Sequence, residues 1–363
     1  MRRLPLLAIL LAGCASTSEL IPPEWLSVPE AARIRAVQLD DEGRVTTALQ
    51  PLRESGVRVV GNALVRGEKK LTDAFAAIES FDVSESRGEV AFSAKRTDNF
   101  DIGLVSTDGS PISWVPAEPV DEAGVQWAPR GNKISYIVRS KSGDFVRVVH
   151  IPTSAQVAAD FPAARINKLG WDPAGEKFAV AYSTPDASDR VEVMHYRGGS
   201  RRTAIPPAEQ LEVEVATFAP EAVSLRPRDM AYGEKLPLVI WVDDEPFAWN
   251  DARAELLRHA RVACIVTRRP PGAEVRASVA NTPWIDRSRT FVISGGHIWK
   301  FNPRVEFPDV TPTVITADAA VPAGRYRRDG AVVAVPPAVV QSFAARFIVD
   351  QLKRTGTPNG SSQ

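Results

Sequence analysis

The sequence predicts a multidomain protein of β and α/β parts: a short β-propeller of about four recognisable repeats, then a small parallel sheet with helices. Three observations predict this. A glycine-centred pattern recurs at intervals of 45, 43 and 44 residues in the first half. The period disappears near Glu212, where a strand–helix–strand pattern takes over. Finally, 29 Pro and 23 Gly among 363 residues favour many turns and short strands over long helices.

The repeat aligns "VQLDDEGRVTTAL", "FDVSESRGEVAFSA", "VQWAPRGNKISYIV" and "LGWDPAGEKFAVAY" on Gly43, Gly88, Gly131 and Gly175. Each unit carries an apolar or aromatic residue, a polar turn, the glycine, and an alternating strand such as "VAF" or "ISY". A period of 40 to 45 residues with several strands per unit is the pattern of propeller blades. The stretch "VSESRGEVAFSAKRTDNFDIGLVSTDG" resembles the TolB-like, WD40-like propeller repeat, whereas the first unit matches least. Trp127 and Trp171 fall at one repeat position, where a large ring can pack between blades. A core role for them outranks ligand stacking. The charged turns "SKSGD" and "PDASDR" read as solvated loops.

Ahead of the repeats, Met1-Arg2-Arg3 is a basic start and residues 4–12 ("LPLLAILLA") are an apolar run. Nine residues fall short of the roughly 20 needed to cross a bilayer as a helix, so residues 1–13 read as a signal peptide. The run ends in "LAGC", which resembles the bacterial lipobox and implies acylation of Cys14. Residues 14–30 then form a lipidated tether, and Ser16 favours the outer membrane, facing the periplasm. Cys264, in "RVACIVTRR", is left without a disulfide partner and reads as a small buried hydrophobe. With 44 basic and 44 acidic residues, net charge gives no reason to expect nucleic acid as a partner. The repeats occupy residues 31–210 and the second part residues 211–363.

In that second part, residues 236–242 ("LPLVIWV") form a continuous apolar run, a buried strand. Ala252, Leu256 and Leu257 share one face of a helix over residues 249–259. Residues 262–266 ("VACIV") are a second apolar strand. Such a βαβ unit implies parallel strands joined by a right-handed crossover.

A propeller followed by "KLPLVIWV", a helix and "RVACIVTRR" resembles the prolyl oligopeptidase family of α/β-hydrolases. "WIDRSRTFVISGG" is similar to the family's segment leading into G-x-S-x-G-G, and "TPTVITADAAVP" to the strand and loop that carry its catalytic aspartate. The resemblance implies an α/β-hydrolase-like second domain, with Asp318 at the acid position and an amphipathic closing helix in "PPAVVQSFAARFIVDQLKR". The catalytic parts are nevertheless incomplete. Anchored on Asp286 and Arg289, the nucleophile position falls on Gly296; a shift of two places it on Ser294, but then Val292 replaces the first glycine. A β-branched residue suits a strained elbow poorly. The chain order of the fold requires a histidine after the acid, yet His150, His195, His259 and His297 all precede Asp318. The oxyanion loop is replaced by Asp243-Asp244-Glu245, whose charges would repel a developing oxyanion. Only 24 residues separate Ser294 from Asp318, too few for the helices and strand that normally intervene.

These readings favour a lipid-anchored envelope protein with a truncated, non-catalytic hydrolase-like domain. It needs no cofactor and binds a protein or peptide partner in the envelope. A second reading keeps an active serine hydrolase using Ser294, Asp318 and His297. A third has Asp243, Asp244 and Glu245 binding Ca²⁺ in a Ca²⁺-dependent module.

Overall fold

The computed structural model describes residues 17–20, 31, 33–47, 55–116, 118–161, 163–294, 296–300, 313–321, 325–329 and 331–356. Strand β1 (Thr17–Leu20) belongs to the sheet of the second part. Each of the four repeat glycines sits at the turn between the first two strands of its unit, with φ between +61° and +74°. Glycine takes this left-handed conformation without the steric cost of a Cβ.

The first unit is divided. β2 (Gln38–Leu39) pairs with β3 (Val45–Thr46), and β4 (Val57–Val60), β5 (Ala63–Arg66) and β6 (Lys69–Lys70) form a separate sheet. The next three units are complete four-stranded antiparallel meanders. Sheet A holds β7 (Ile78–Ser84), β8 (Glu89–Lys95), β9 (Phe100–Ser106) and β10 (Ser113–Trp114). Sheet B holds β11 (Asp121–Trp127), β12 (Lys133–Ser140), β13 (Gly143–His150) and β14 (Ala155–Asp160). Sheet C holds β15 (Arg165–Trp171), β16 (Lys177–Thr184), β17 (Ala187–His195) and β18 (Arg202–Ile205).

Successive sheets bury their apolar faces against one another. Trp127 packs with Ala91 and Ile102 of sheet A, and Trp171 packs with Ile137 and Val146 of sheet B. The Trp171 indole also donates to Ser135 Oγ of sheet B at 2.9 Å. The two tryptophans thus fill equivalent inter-sheet positions, as their shared repeat position predicts. The first unit meets both ends of the series: Val37 and Leu39 pack on Ala179 and Val191 of sheet C, and Leu64 packs with Phe92 of sheet A. β2 lies so close to β15 that a side chain at Gly170 would overlap the Val37 carbonyl.

Buried carboxylates staple the sheets together. Asp144 accepts from the Ile166 N–H of the following sheet at 2.8 Å, and Asp189 accepts from the Ile34 N–H at 2.7 Å. Both are about 4% exposed, so the turns "SKSGD" and "PDASDR" are not wholly solvated loops. A carboxylate bonded to main-chain N–H groups is a charge-assisted contact that offsets burial.

Glu122 is the poorly compensated case. It is fully buried on β11, its Oε2 accepts from the Ile102 N–H at 3.3 Å, and its Oε1 has no hydrogen-bond partner among the described residues. Burial pushes its carboxyl from 4.5 up to about 7. The native state therefore holds the proton more tightly than the unfolded chain does. The stability from this site is full below pH 4.5 and is lost as pH rises through 7. Glu122→Gln is expected to flatten that fall, as read by urea titrations at pH 5 and pH 8; an unchanged pH slope would contradict the assignment.

The second part departs from the small parallel sheet predicted. Its strands are β19 (Val213–Ala219), β20 (Ala222–Pro227), β21 (Leu236–Val242), β22 (Ala263–Thr267), β23 (Ile285–Ser294), β24 (His297–Lys300), β25 (Thr313–Ala317), β26 (Arg325–Asp329) and β27 (Val332–Val335). With β1 they form a ten-stranded mixed sheet in the order β1-β26-β27-β25-β24-β23-β21-β22-β20-β19. β21–β22, β21–β23 and β25–β27 are parallel; every other neighbouring pair is antiparallel. The predicted βαβ unit is present: α1 (Asp251–His259), N-capped by the Asn250 side chain, joins parallel β21 and β22. α1 and the closing helix α3 (Val340–Gly356) cover one face, and α2 (Ala273–Asn281) buries Val279 on the other. β1, within the expected tether, pairs antiparallel with β26 from Thr17↔Arg328 to Leu20↔Arg325. Cys14 lies outside the described residues.

Candidate functional site

"TFVISGGH" forms a β-hairpin. β23 ends at Ser294, the chain turns through Gly296 at φ +83°, and β24 begins at His297, with Ser294 and His297 directly paired. A nucleophile elbow needs a strand running into a helix; here a strand runs into a strand. Gly-Gly between alternating apolar residues is itself a strong hairpin signal, and it decides the local structure. Gly296 is required twice, by its positive φ and because a Cβ would overlap the Ile315 carbonyl of β25.

The pairing brings Ser294 and His297 onto the same face as cross-strand neighbours. Among the described residues no hydrogen bond joins their side chains. Asp318 is elsewhere. His297 pairs with Val314, and Asp318 lies four residues further along β25's direction, about 13 Å of strand rise. Its carboxylate is also occupied: Oδ1 accepts from the Ala320 N–H at 2.8 Å, and Oδ2 accepts from Arg327 at 2.9 Å. Such a carboxylate caps a turn and anchors the β26 strand. Residues 325–335, where a catalytic histidine would follow, are mostly the β26–β27 hairpin.

The acidic loop after β21 is held by cations of the chain itself. Asp243 accepts from Arg253 at 3.3 Å and from the Asn250 amide at 3.1 Å, and Glu245 pairs with Arg165 of β15 at 2.8 Å. Arg253 is fully buried and also donates to the Ala248 carbonyl at 2.5 Å. Asp244 is exposed. Among the described residues no group of three or more His, Cys, Asp or Glu side chains is arranged to hold a metal ion. Two of the three candidate Ca²⁺ ligands thus have internal partners. Cys264 is fully buried, and burial pushes its thiol up to about 12, which leaves it inert.

What the sequence did not reveal is a groove of about 960 Å³ between the repeat sheets and strand β19. Ser142, Asp144, Asp160 and Asp186 line one wall, and β19 with Arg228 lines the other. The Asp144 carboxylate, pushed up by burial and held down by Arg139 and Arg165, braces the sheet side; Arg165 continues the link to Glu245. Trp249 N–H to Ser183 Oγ (3.3 Å) and Arg258 to Glu209 (2.5 Å) fix α1 beside sheet C. The groove is therefore walled by mutually anchored elements.

No protein-family profile matches the sequence, and no curated protein matches it. Solved structures do align. An acylaminoacyl peptidase from Pyrococcus horikoshii aligns over 63% of this chain and 42% of its own, at 12% identity and a TM-score of 0.47. Prolyl oligopeptidase B from Galerina marginata aligns over 70% and 44%, at 10% identity and 0.49. A putative dipeptidyl aminopeptidase IV from Bacteroides ovatus aligns over 60% and 40%, at 8% identity and 0.43. These structures are of the peptidase kind. The chain spans about two fifths of their length, and no activity transfers at this level of likeness.

Proposed function

We propose that this chain is a non-catalytic binding protein of the bacterial cell envelope, lipid-anchored at Cys14. A four-unit propeller closes through its divided first unit, and a degenerate α/β-hydrolase-like domain follows. The recognition surface is the groove between the two parts. One observation carries the reading: the segment that should present a nucleophile is the Ser294–His297 hairpin, with Asp318 bound to Arg327 some distance along the neighbouring strand. Removing triad members from a serine hydrolase abolishes nearly all of its rate, and among the described residues β23 runs into a strand instead of a helix, Ser294 and His297 share no side-chain hydrogen bond, and Asp318 is bound to Arg327. The cations beside Asp243 and Glu245 favour a structural loop over a Ca²⁺ site.

The test is turnover of peptidyl p-nitroanilides and p-nitrophenyl esters by the purified chain. The reading predicts background rates, equal for the wild type and Ser294→Ala; hydrolysis that Ser294→Ala abolishes would overturn it. The anchoring part predicts recovery in the outer-membrane fraction and release by Cys14→Ala. Unchanged fractionation of that variant would remove the lipid from the account.

A further inference from the structure

The edge of β19 identifies what the groove recognises. β19 ends the strand order, so one side pairs with β20 and the other faces outward. Pro227 stands opposite Val213 and has no N–H, so this is a non-hydrogen-bonded pair. By alternation, Val215↔Leu225 and Thr217↔Val223 are also non-hydrogen-bonded pairs. The main-chain N–H and C=O groups of Val213, Val215 and Thr217 therefore point away from β20. Arg228 Nε takes the Val213 carbonyl at 2.9 Å; among the described residues no strand pairs with the Val215 and Thr217 groups on that side. Clefts flank this edge: the 960 Å³ groove on one side, and one of about 620 Å³ against α2 on the other, with Ala216 and Thr217 lining both. An exposed row of strand donors and acceptors is satisfied by another extended main chain.

Charge narrows the class of chain. Across the groove, Asp160 and Asp186 form no salt bridge among the described residues, whereas Asp144 and Glu214 are paired with arginines. We propose that β19 accepts an extended, lysine- or arginine-bearing segment of a partner protein as an added strand, its basic side chains meeting Asp160 and Asp186. This rests on the binding reading above and adds to it the mode of recognition and the partner's chemistry.

The test uses the full chain in detergent and a fluorescent acetylated heptapeptide amide, Val-Lys-Val-Lys-Val-Lys-Val. Val215→Pro removes an outward N–H while leaving the β20 ladder in place. Should that variant not fold, Asp160→Asn with Asp186→Asn and a Val-Glu peptide test the same contact through charge. The expected results are saturable binding, a Kd raised at least tenfold by Val215→Pro and several-fold by the double Asn variant, and at least fivefold weaker binding of the Val-Glu peptide. Failure of the wild type to bind, equal binding by Val215→Pro, or indifference to charge would overturn strand addition. A dimer in sedimentation that Val215→Pro dissociates would assign the edge to a second copy instead, and also overturns it. None of these outcomes touches the non-catalytic reading, which the turnover assay tests separately.

Discussion

Arg253→Ala is expected to destabilise the protein by about 3–5 kcal/mol, the usual result of removing one partner from a buried ion pair. The guanidinium lies fully inside the fold between Asp243 and the Ala248 carbonyl. Its removal leaves a half-shielded carboxylate and a carbonyl short of a donor, and opens a cavity at the start of α1. Burial already pulls the Arg253 pKa below the ordinary arginine value, opposed by the Asp243 charge. Arg253→Met, which restores volume without charge, should recover part of the loss. Urea unfolding of the two variants checks this. A loss under 1 kcal/mol for Arg253→Ala would mean the loop after β21 is not held as described.

Gly296→Ala should cost about 2–6 kcal/mol, because two penalties fall on one residue. Left-handed backbone at φ +83° costs a residue with a Cβ about 1–3 kcal/mol. The new methyl would also run into the Ile315 carbonyl, a backbone atom that cannot swing aside, and such overpacking adds about 1–3 kcal/mol. The Ile315 N–H donates to the Gly296 carbonyl at 2.7 Å, so a shift that relieves the clash breaks the β24–β25 contact. Ser294→Ala, at a half-buried position of the same hairpin, should stay within about 0.5 kcal/mol. Thermal melts of the pair test the hairpin directly, since a strand-to-helix elbow would place no strand carbonyl there.

The repeat was legible because its turns need a residue with φ above zero, and Gly43, Gly88, Gly131 and Gly175 supply one each at a near-constant interval. β4–β6 escaped that alignment, although "VVGNALV" carries Gly61-Asn62 between apolar runs, a hairpin signal in its own right. The staples could have been read from the shared repeat position of Asp144 and Asp189, 45 residues apart. Charged residues in a turn are read as solvated until a partner N–H from another sheet is known, and those donors are distant in sequence. The βαβ unit was readable from its apolar runs. The strand directions in the rest of the ten-stranded sheet were not, because an apolar run looks alike in parallel and antiparallel pairs. At the candidate site, residue order alone showed that His150, His195, His259 and His297 all precede Asp318. It did not show whether "SGGH" was a damaged elbow or a hairpin, because Gly-Gly serves both geometries.

The most direct test of the central claim is intact-mass analysis after exposure to a fluorophosphonate, which forms an adduct with any activated serine. With Ser294 in a hairpin, no histidine after Asp318, and Asp318 bound to Arg327, no mass increase should appear under conditions that fully label a working serine hydrolase. Stoichiometric labelling of Ser294, lost in Ser294→Ala and in His297→Ala, would show that the cross-strand pair is a catalytic dyad and would contradict the account.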